Sequence, residues 1–465
     1  MDTDLTRNLG VTGIVLMVVA AAAPITVVVA NFPIILLSGG SVGAPLMILA
    51  ATVILLLFSV GYTWMTPHVP DAGAFYAYVD RGLGRRAGLG TAAIALLSYV
   101  LLTVSMTCYL GVQAGNLLAL GTGIEVPWWL ISAVMVAVVA FLGYRKIDLS
   151  AKVLGVVLVL EMLAVLAIDL GVLLSGRELS ATPFSPAEAL SGAPGLSLLF
   201  AFLGFFGFEA TAVFRHEAKD PLRTIPRATY LAVVLIGVLY TVSAWLVISG
   251  LGASTAVEAA TANPDSIIVE LTGEVIAPIM ADLVQVLVVT SMFACMLGFH
   301  NIVTRYLFTL GRRGVLPTSL GAAHSRHRAP SRASLWVSIV TALIVLVSAL
   351  AQLDPVVEIY TWYSGLGAVG VIVMMALTSL AVVRFGITHR AARAPGTVLA
   401  LAGLGGLGLL VVLAISLANF PLLVGGVVAA VICAVVLLAV FVAGLLDPRR
   451  AAVADAPEQE IASAP

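Results

Sequence analysis

The chain has 465 residues, 61% of them hydrophobic and 10% charged, with a formal net charge of −1 and a mean hydropathy of +1.12. Soluble domains carry about 25% charged residues, so this composition excludes a soluble enzyme or a nucleic-acid binder and predicts an all-α polytopic membrane protein. The near-neutral net charge identifies no partner beyond the lipid bilayer, because the charges are segregated by loop.

At about 20 residues per span, the pattern predicts a cytoplasmic N-terminus (1–10) and twelve transmembrane helices. These are 11–37, 43–66, 89–120, 127–144, 151–175, 195–215, 228–251, 275–310, 333–352, 356–384, 398–417 and 420–446. The first run is too long for a signal-peptide core and is expected to persist as a helix. The Ala-, Glu- and Pro-rich tail, 447–465, is expected to be disordered and cytoplasmic. With both termini inside, 22 of the 23 Lys and Arg residues fall on inner loops or helix ends, and Arg177 alone falls outside. That asymmetry orients a protein in the cytoplasmic membrane.

The first and sixth spans are interrupted. In the first, Ala21-Ala22-Ala23-Pro24 breaks the apolar run; in the sixth, Gly204 and Gly207 precede Glu209 near mid-span. Irregular backbone inside a bilayer survives where it is buried in protein or lines a cavity, and a mid-span carboxylate must face protein or water. Two breaks five spans apart predict a five-plus-five inverted repeat (about 11–175 and 195–384) with discontinuous helices 1 and 6, followed by two extra helices (about 398–446).

Other polar residues are read against packing. Glu161, mid-way along the fifth span, is a candidate proton carrier or a polar link between helices, and Thr290 and Ser291 on the eighth supply hydroxyls of the kind that ligate sodium. Tyr109 and Gln113 lie four apart on one face of the third helix, so both can reach a central cavity. Phe205, Phe206 and Phe208 are candidates for a substrate wall. Tyr360, Trp362 and Tyr363 read as an interfacial aromatic belt, with a substrate gate as the alternative. Asp282 and Gln285 read as one polar face, and Arg215, Lys219 and Arg223 with Glu217 and Asp220 as an inner gate. Cys108, Cys295 and Cys433 are scattered through apolar spans and read as small buried side chains. Neither a phosphate-binding Gly-Lys-Ser loop nor a metal-spaced His/Cys cluster occurs, so no cofactor, metal site or enzymatic reaction is expected.

Three segments together carry a family resemblance. They are Phe205–Ala210 with Glu217–Pro221 and Thr224–Ala228; Pro67–Gly84, containing Pro70-Asp71-Ala72-Gly73-Ala74-Phe75-Tyr76; and Asn301, Arg305 and Leu310–Pro317. On these the chain resembles the amino acid–polyamine–organocation superfamily, with the leucine-transporter fold. The resemblance implies a secondary transporter that imports an amino acid or related amine, coupled to protons or, as an alternative, to sodium, or working by exchange. It implies a substrate held between helices 1 and 6 at Ala22, Ala23, Pro24, Ile25 and Thr26 and at Phe205, Phe206, Gly207, Phe208 and Glu209, with Glu161, Glu209, Thr290 and Ser291 as coupling candidates. Two departures stand out. Ala21–Pro24 replaces the Gly-Ser-Gly-like stretch of many family members, and Glu161 stands where several proton-coupled members have a lysine. The rival from another class is a membrane sensor that keeps the fold and signals.

Overall fold

The computed structural model describes residues 10–69, 75–145, 151–209, 211, 218–324, 330–389 and 393–446. The expected N-terminal segment 1–9, Pro70–Ala74 of the second motif, Arg215 and Glu217 of the inner gate and the tail 447–465 lie outside the described residues.

Every described element is helical. The first span is α1 (Val11–Ala21), a single-turn α2 (Pro24–Thr26), a π-helical turn (Val27–Asn31) and α3 (Phe32–Gly39). There follow α4 (Ala44–Met65), the amphipathic α5 (Phe75–Leu83), α6 (Arg85–Thr122), α7 (Trp128–Arg145) and α8 (Ala151–Leu174). After the short α9 (Pro186–Ala189) come α10 (Pro194–Leu203) and α11 (Pro221–Leu251). Two further short helices, α12 (Ala256–Ala262) and α13 (Ile267–Val275), lead into α14 (Pro278–Arg312). The chain ends with α15 (Ser331–Leu350), α16 (Thr361–Thr388, entered through a π turn at Pro355–Tyr360), α17 (Gly396–Leu423) and α18 (Val427–Leu446).

Proline writes many of the starts. Pro24, Pro33, Pro45, Pro194, Pro221 and Pro278 each occupy the first or second helical position, where the missing N–H has no partner to lose. This is why α11 begins seven residues before the span expected at 228–251.

Among the described residues, ten helical stretches are long and apolar enough to cross a membrane, and Trp128–Tyr144 and Pro194–Leu203 are shorter apolar helices. Peripheral helices turn apolar stripes outward: Leu163, Leu166, Leu170 and Leu173 on α8 are exposed at helical spacing. Such a face suits lipid, which asks only that backbone polar groups be satisfied internally. The chain is thus a multi-pass membrane protein. At its centre the long α6 packs against α14 and α16, α4 packs against α11 and α17, and the broken first span lies among α8, α11 and α14.

Candidate functional site

The first break lies at Ala22-Ala23. Ala23 adopts left-handed φ 48, ψ 67, and Pro24 restarts the helix behind it. Left-handed backbone costs a non-glycine residue roughly 1–2 kcal/mol, so the surrounding packing imposes the break. The Ala22 carbonyl, removed from a regular ladder, accepts a hydrogen bond from the Tyr240 hydroxyl at 3.2 Å.

The second break follows α10. Residues 204–209 form consecutive turns, and Gly207 takes φ 109, a conformation open to glycine alone without strain. This bend lets the Gly207 amide donate to Glu209 Oε2 at 2.9 Å, while the Tyr99 hydroxyl donates to Oε1 at 3.1 Å. The Tyr62 hydroxyl donates to the Glu209 carbonyl at 3.0 Å. Glu209 is therefore buried with both carboxyl oxygens and its carbonyl engaged, as a mid-membrane acid requires. Aromatic rings pack around it: Tyr62 lies 6.4 Å from Phe208 and 4.7 Å from Tyr78, and Tyr99 lies 6.1 Å from Tyr306.

Between the two breaks is a narrow void of about 40 Å³. A water molecule needs roughly 10–15 Å³ on such a measure and a bound small molecule several hundred, so the void as it stands is too small for a solute. Its lining includes Ala22, Ala23, Thr26, Val27 and Asn31 from the first span, Leu102, Ser105 and Met106 from α6, and Leu203, Gly204 and Phe206 from the second break. Cys295 and Phe299 of α14, with Tyr360 and Ser364, close it.

Of the expected substrate residues, the structure brings Ala22, Ala23, Thr26 and Phe206 to this void. Pro24, Ile25 and Gly207 shape the breaks from behind it. Phe205 packs on Tyr240 at 6.1 Å and Phe208 on Phe58 at 6.1 Å. Tyr109 and Gln113 do not line it: the Tyr109 hydroxyl donates to the Pro264 carbonyl at 3.2 Å, and Gln113 Nε2 donates to the Asp265 carbonyl at 2.8 Å. The loop before α13 sits over that end of α6, and its carbonyls draw both side chains away from the centre. Tyr360 corrects the aromatic-belt expectation. It is buried, lines the void and meets Tyr109 at 4.8 Å, because the π turn before α16 rotates it inward. Sequence reasoning missed Asn31, Ser105, Met106, Phe299 and Ser364. Ser105 and Met106 lie four and three residues before Tyr109, so helical spacing marked their face of α6.

Glu161 of α8 is buried and faces the Ile25 amide and the Ser291 hydroxyl, yet Glu161 Oε2 and Ser291 Oγ both lack a hydrogen-bond partner. Thr290 corrects its pairing with Ser291. It is exposed, and its hydroxyl donates to the Leu287 carbonyl at 2.9 Å, since adjacent helical residues point about 100° apart. The Asp282–Gln285 face divides likewise: Asp282 is exposed, while buried Gln285 donates to Gln113 Oε1 at 2.7 Å. Of the expected inner gate, Arg223 and Asp220 form an exposed pair at 3.8 Å. The cysteines are free, and Cys295 reaches the void. A larger recess of about 740 Å³ lies at the surface among loop residues 177–188 and 249–257. Its one basic side chain, Arg177, is engaged by the Gly250 carbonyl and by Glu274 at 2.7 Å, so the chemistry favours the smaller void.

The family model described as "Amino acid permease" matches residues 9–445. The chain is 24% identical over 336 residues to the branched-chain amino acid permease BcaP of Bacillus subtilis, covering 69% of this chain and 70% of that protein. BcaP of Lactococcus lactis is 24% identical over 306 residues, 62% of this chain and 64% of its own length. The low-affinity putrescine importer PlaP of Escherichia coli is 22% identical over 321 residues, 65% and 68% respectively.

Proposed function

The chain belongs to the amino acid permease family, and from that premise we propose that it is a secondary active transporter importing an amino acid or related amine across the cytoplasmic membrane. The observation that carries this reading is that the interrupted first span and the turns that follow α10 face one small void. Broken helices of this kind mark substrate sites near mid-membrane. Alternating access expands the void toward one side at a time, and the rings around Glu209 and the Tyr109–Tyr360 pair close its two ends.

The proposed topology is twelve spans with both termini cytoplasmic, a five-plus-five inverted repeat and two extra helices. The ten long apolar helices, the two shorter ones and the loop distribution of Lys and Arg support it. Leu102, Met106, Leu203, Phe206 and Phe299 around the void support a solute with an aliphatic side chain over a diamine. Glu161 is the proposed coupling group, because its free oxygen beside the first break can take a proton. The facing Ser291 hydroxyl and the Ala22 carbonyl held by Tyr240 support sodium as the second reading.

The test is uptake into proteoliposomes of the twenty amino acids and putrescine, with and without an imposed pH gradient. Accumulation of an aliphatic amino acid on acidifying the outside is expected. Binding without accumulation would make the protein a sensor, and accumulation that follows sodium and ignores pH would remove the proton.

A further inference from the structure

Two side-chain oxygens at the void are buried and unpartnered: Thr26 Oγ1 and Asn31 Oδ1. Both residues are over nine-tenths buried, at 4% and 2% exposure, and both line the cavity. A buried polar atom without a partner costs roughly 1–3 kcal/mol, so two at one void need an explanation.

The backbone brings them together. In an α-helix, residues five apart diverge by about 140°. Here the segment Val27–Asn31 is π-helical, and the Phe32 amide bonds the Val27 carbonyl five residues back. Five residues then make slightly more than one turn, which returns Asn31 close to the face that Thr26 occupies. The amide orientation is fixed as well: Asn31 Nδ2 donates to the Phe200 carbonyl of α10 at 2.8 Å, leaving Oδ1, a pure acceptor, for the void.

The two serine hydroxyls at the void have the same polarity. Ser105 Oγ donates to the Leu102 carbonyl at 3.0 Å and Ser364 Oγ to the Tyr360 carbonyl at 2.5 Å. With their protons directed into their own helices, both offer lone pairs to the centre. Among the described residues the lining holds no acid and no base.

We propose that Asn31, with Thr26, is the specificity-determining pair that receives the N–H groups of the solute, so that the cavity recognises an alkylammonium with a small aliphatic body. This rests on the reading of the void as the substrate site and adds which solute group is read there and by which side chains. A neutral, acceptor-rich pocket binds an ammonium through charge-assisted hydrogen bonds and leaves a carboxylate facing lone pairs.

The experiment is a thermal-shift titration of the purified full chain with three probes that share one isobutyl group: L-leucine, 3-methylbutylamine and 4-methylpentanoate. Stabilisation by L-leucine and by the amine, and none by the carboxylate, is expected. Asn31→Leu and Thr26→Val each weaken amine binding about ten- to a hundredfold, the loss of one hydrogen bond to a charged group, while Asn31→Asp, which keeps an acceptor, retains it. Should Asn31→Leu fail to fold for want of its bond to Phe200, the near-isosteric Thr26→Val decides alone. The inference is overturned if 4-methylpentanoate stabilises as well as the amine, if the amine does not bind, or if amine affinity is unchanged in the folded variants. Uptake of any amino acid in the liposome assay would leave the transport reading standing in each of those cases.

Discussion

The Tyr99 hydroxyl reaches across from α6 to Glu209 Oε1 at 3.1 Å, joining an unbroken helix to the second helix break. With Gly207 on the other oxygen and Tyr62 on the carbonyl, the acid ties the second break to α6 and α4. Tyr99→Phe leaves Oε1 buried and unpaired, at a cost of roughly 1–3 kcal/mol. A lowered melting temperature in detergent and a several-fold drop in initial uptake rate are expected. Glu209→Gln keeps an acceptor and is expected to retain more stability than Glu209→Ala. Equal melting temperatures for the two would show that the bonds to Gly207 and Tyr99 do not hold the break.

Glu161 is built differently. One oxygen is free beside the Ser291 hydroxyl and the first break, so the group can exchange a proton without dismantling a network. Glu161→Gln is expected to abolish accumulation driven by a pH gradient, by tenfold or more, while exchange of internal for external solute continues. Counterflow and gradient-driven uptake in the same liposomes separate the two. Loss of both together would assign Glu161 to packing.

Much of this arrangement is legible in the sequence, and the failures have definite causes. The break at Ala21–Pro24 and the one after Gly204 stand out because helix-weakening residues interrupt long apolar runs, and the backbone departs from helix at Ala22-Ala23 and across 204–209. Most span edges fall within a few residues of the helix ends; α11 starts seven residues early at Pro221, and the pair 398–417 and 420–446 is shifted because α17 continues past Pro421 to Leu423. The π turns at Val27–Asn31 and Pro355–Tyr360 have no periodicity signal of their own. They rotate Asn31 and Tyr360 inward, and so the sequence hid the first and left the second between belt and gate. Tyr109 and Gln113 share the expected face, but their partners come from the loop at Pro264 and Asp265, a long-range contact that spacing along one helix does not encode.

Ala23 holds φ 48 without being glycine. Ala23→Gly removes left-handed strain of roughly 1–2 kcal/mol and adds unfolded-state entropy worth roughly 0.4–1 kcal/mol, so a small net stabilisation is expected. Ala23→Val adds a β-branched side chain at the same dihedral beside the void and is expected to melt lower and to transport little. Melting curves of the two variants against the parent check the sign. A Gly variant less stable than the Val variant would mean that the left-handed turn is not what the first break rests on.

Asp80 lies on the amphipathic α5, outside the spans. Burial pushes its carboxyl above the ordinary aspartate range even though Arg85, Arg313 and Arg81 pull the other way. The folded chain therefore holds this proton more tightly than the unfolded chain does. Below both values the group contributes nothing; as pH rises from the ordinary aspartate range through the raised value, stability is lost, and above it the loss is complete. Asp80→Asn removes the penalty. Its melting temperature is expected to match the parent in acid and to exceed it by a margin that grows with pH and then levels off. Melting curves of both proteins from about pH 4 to 8 measure that margin, and a parent more stable than the variant at the upper end would show that the three arginines outweigh burial.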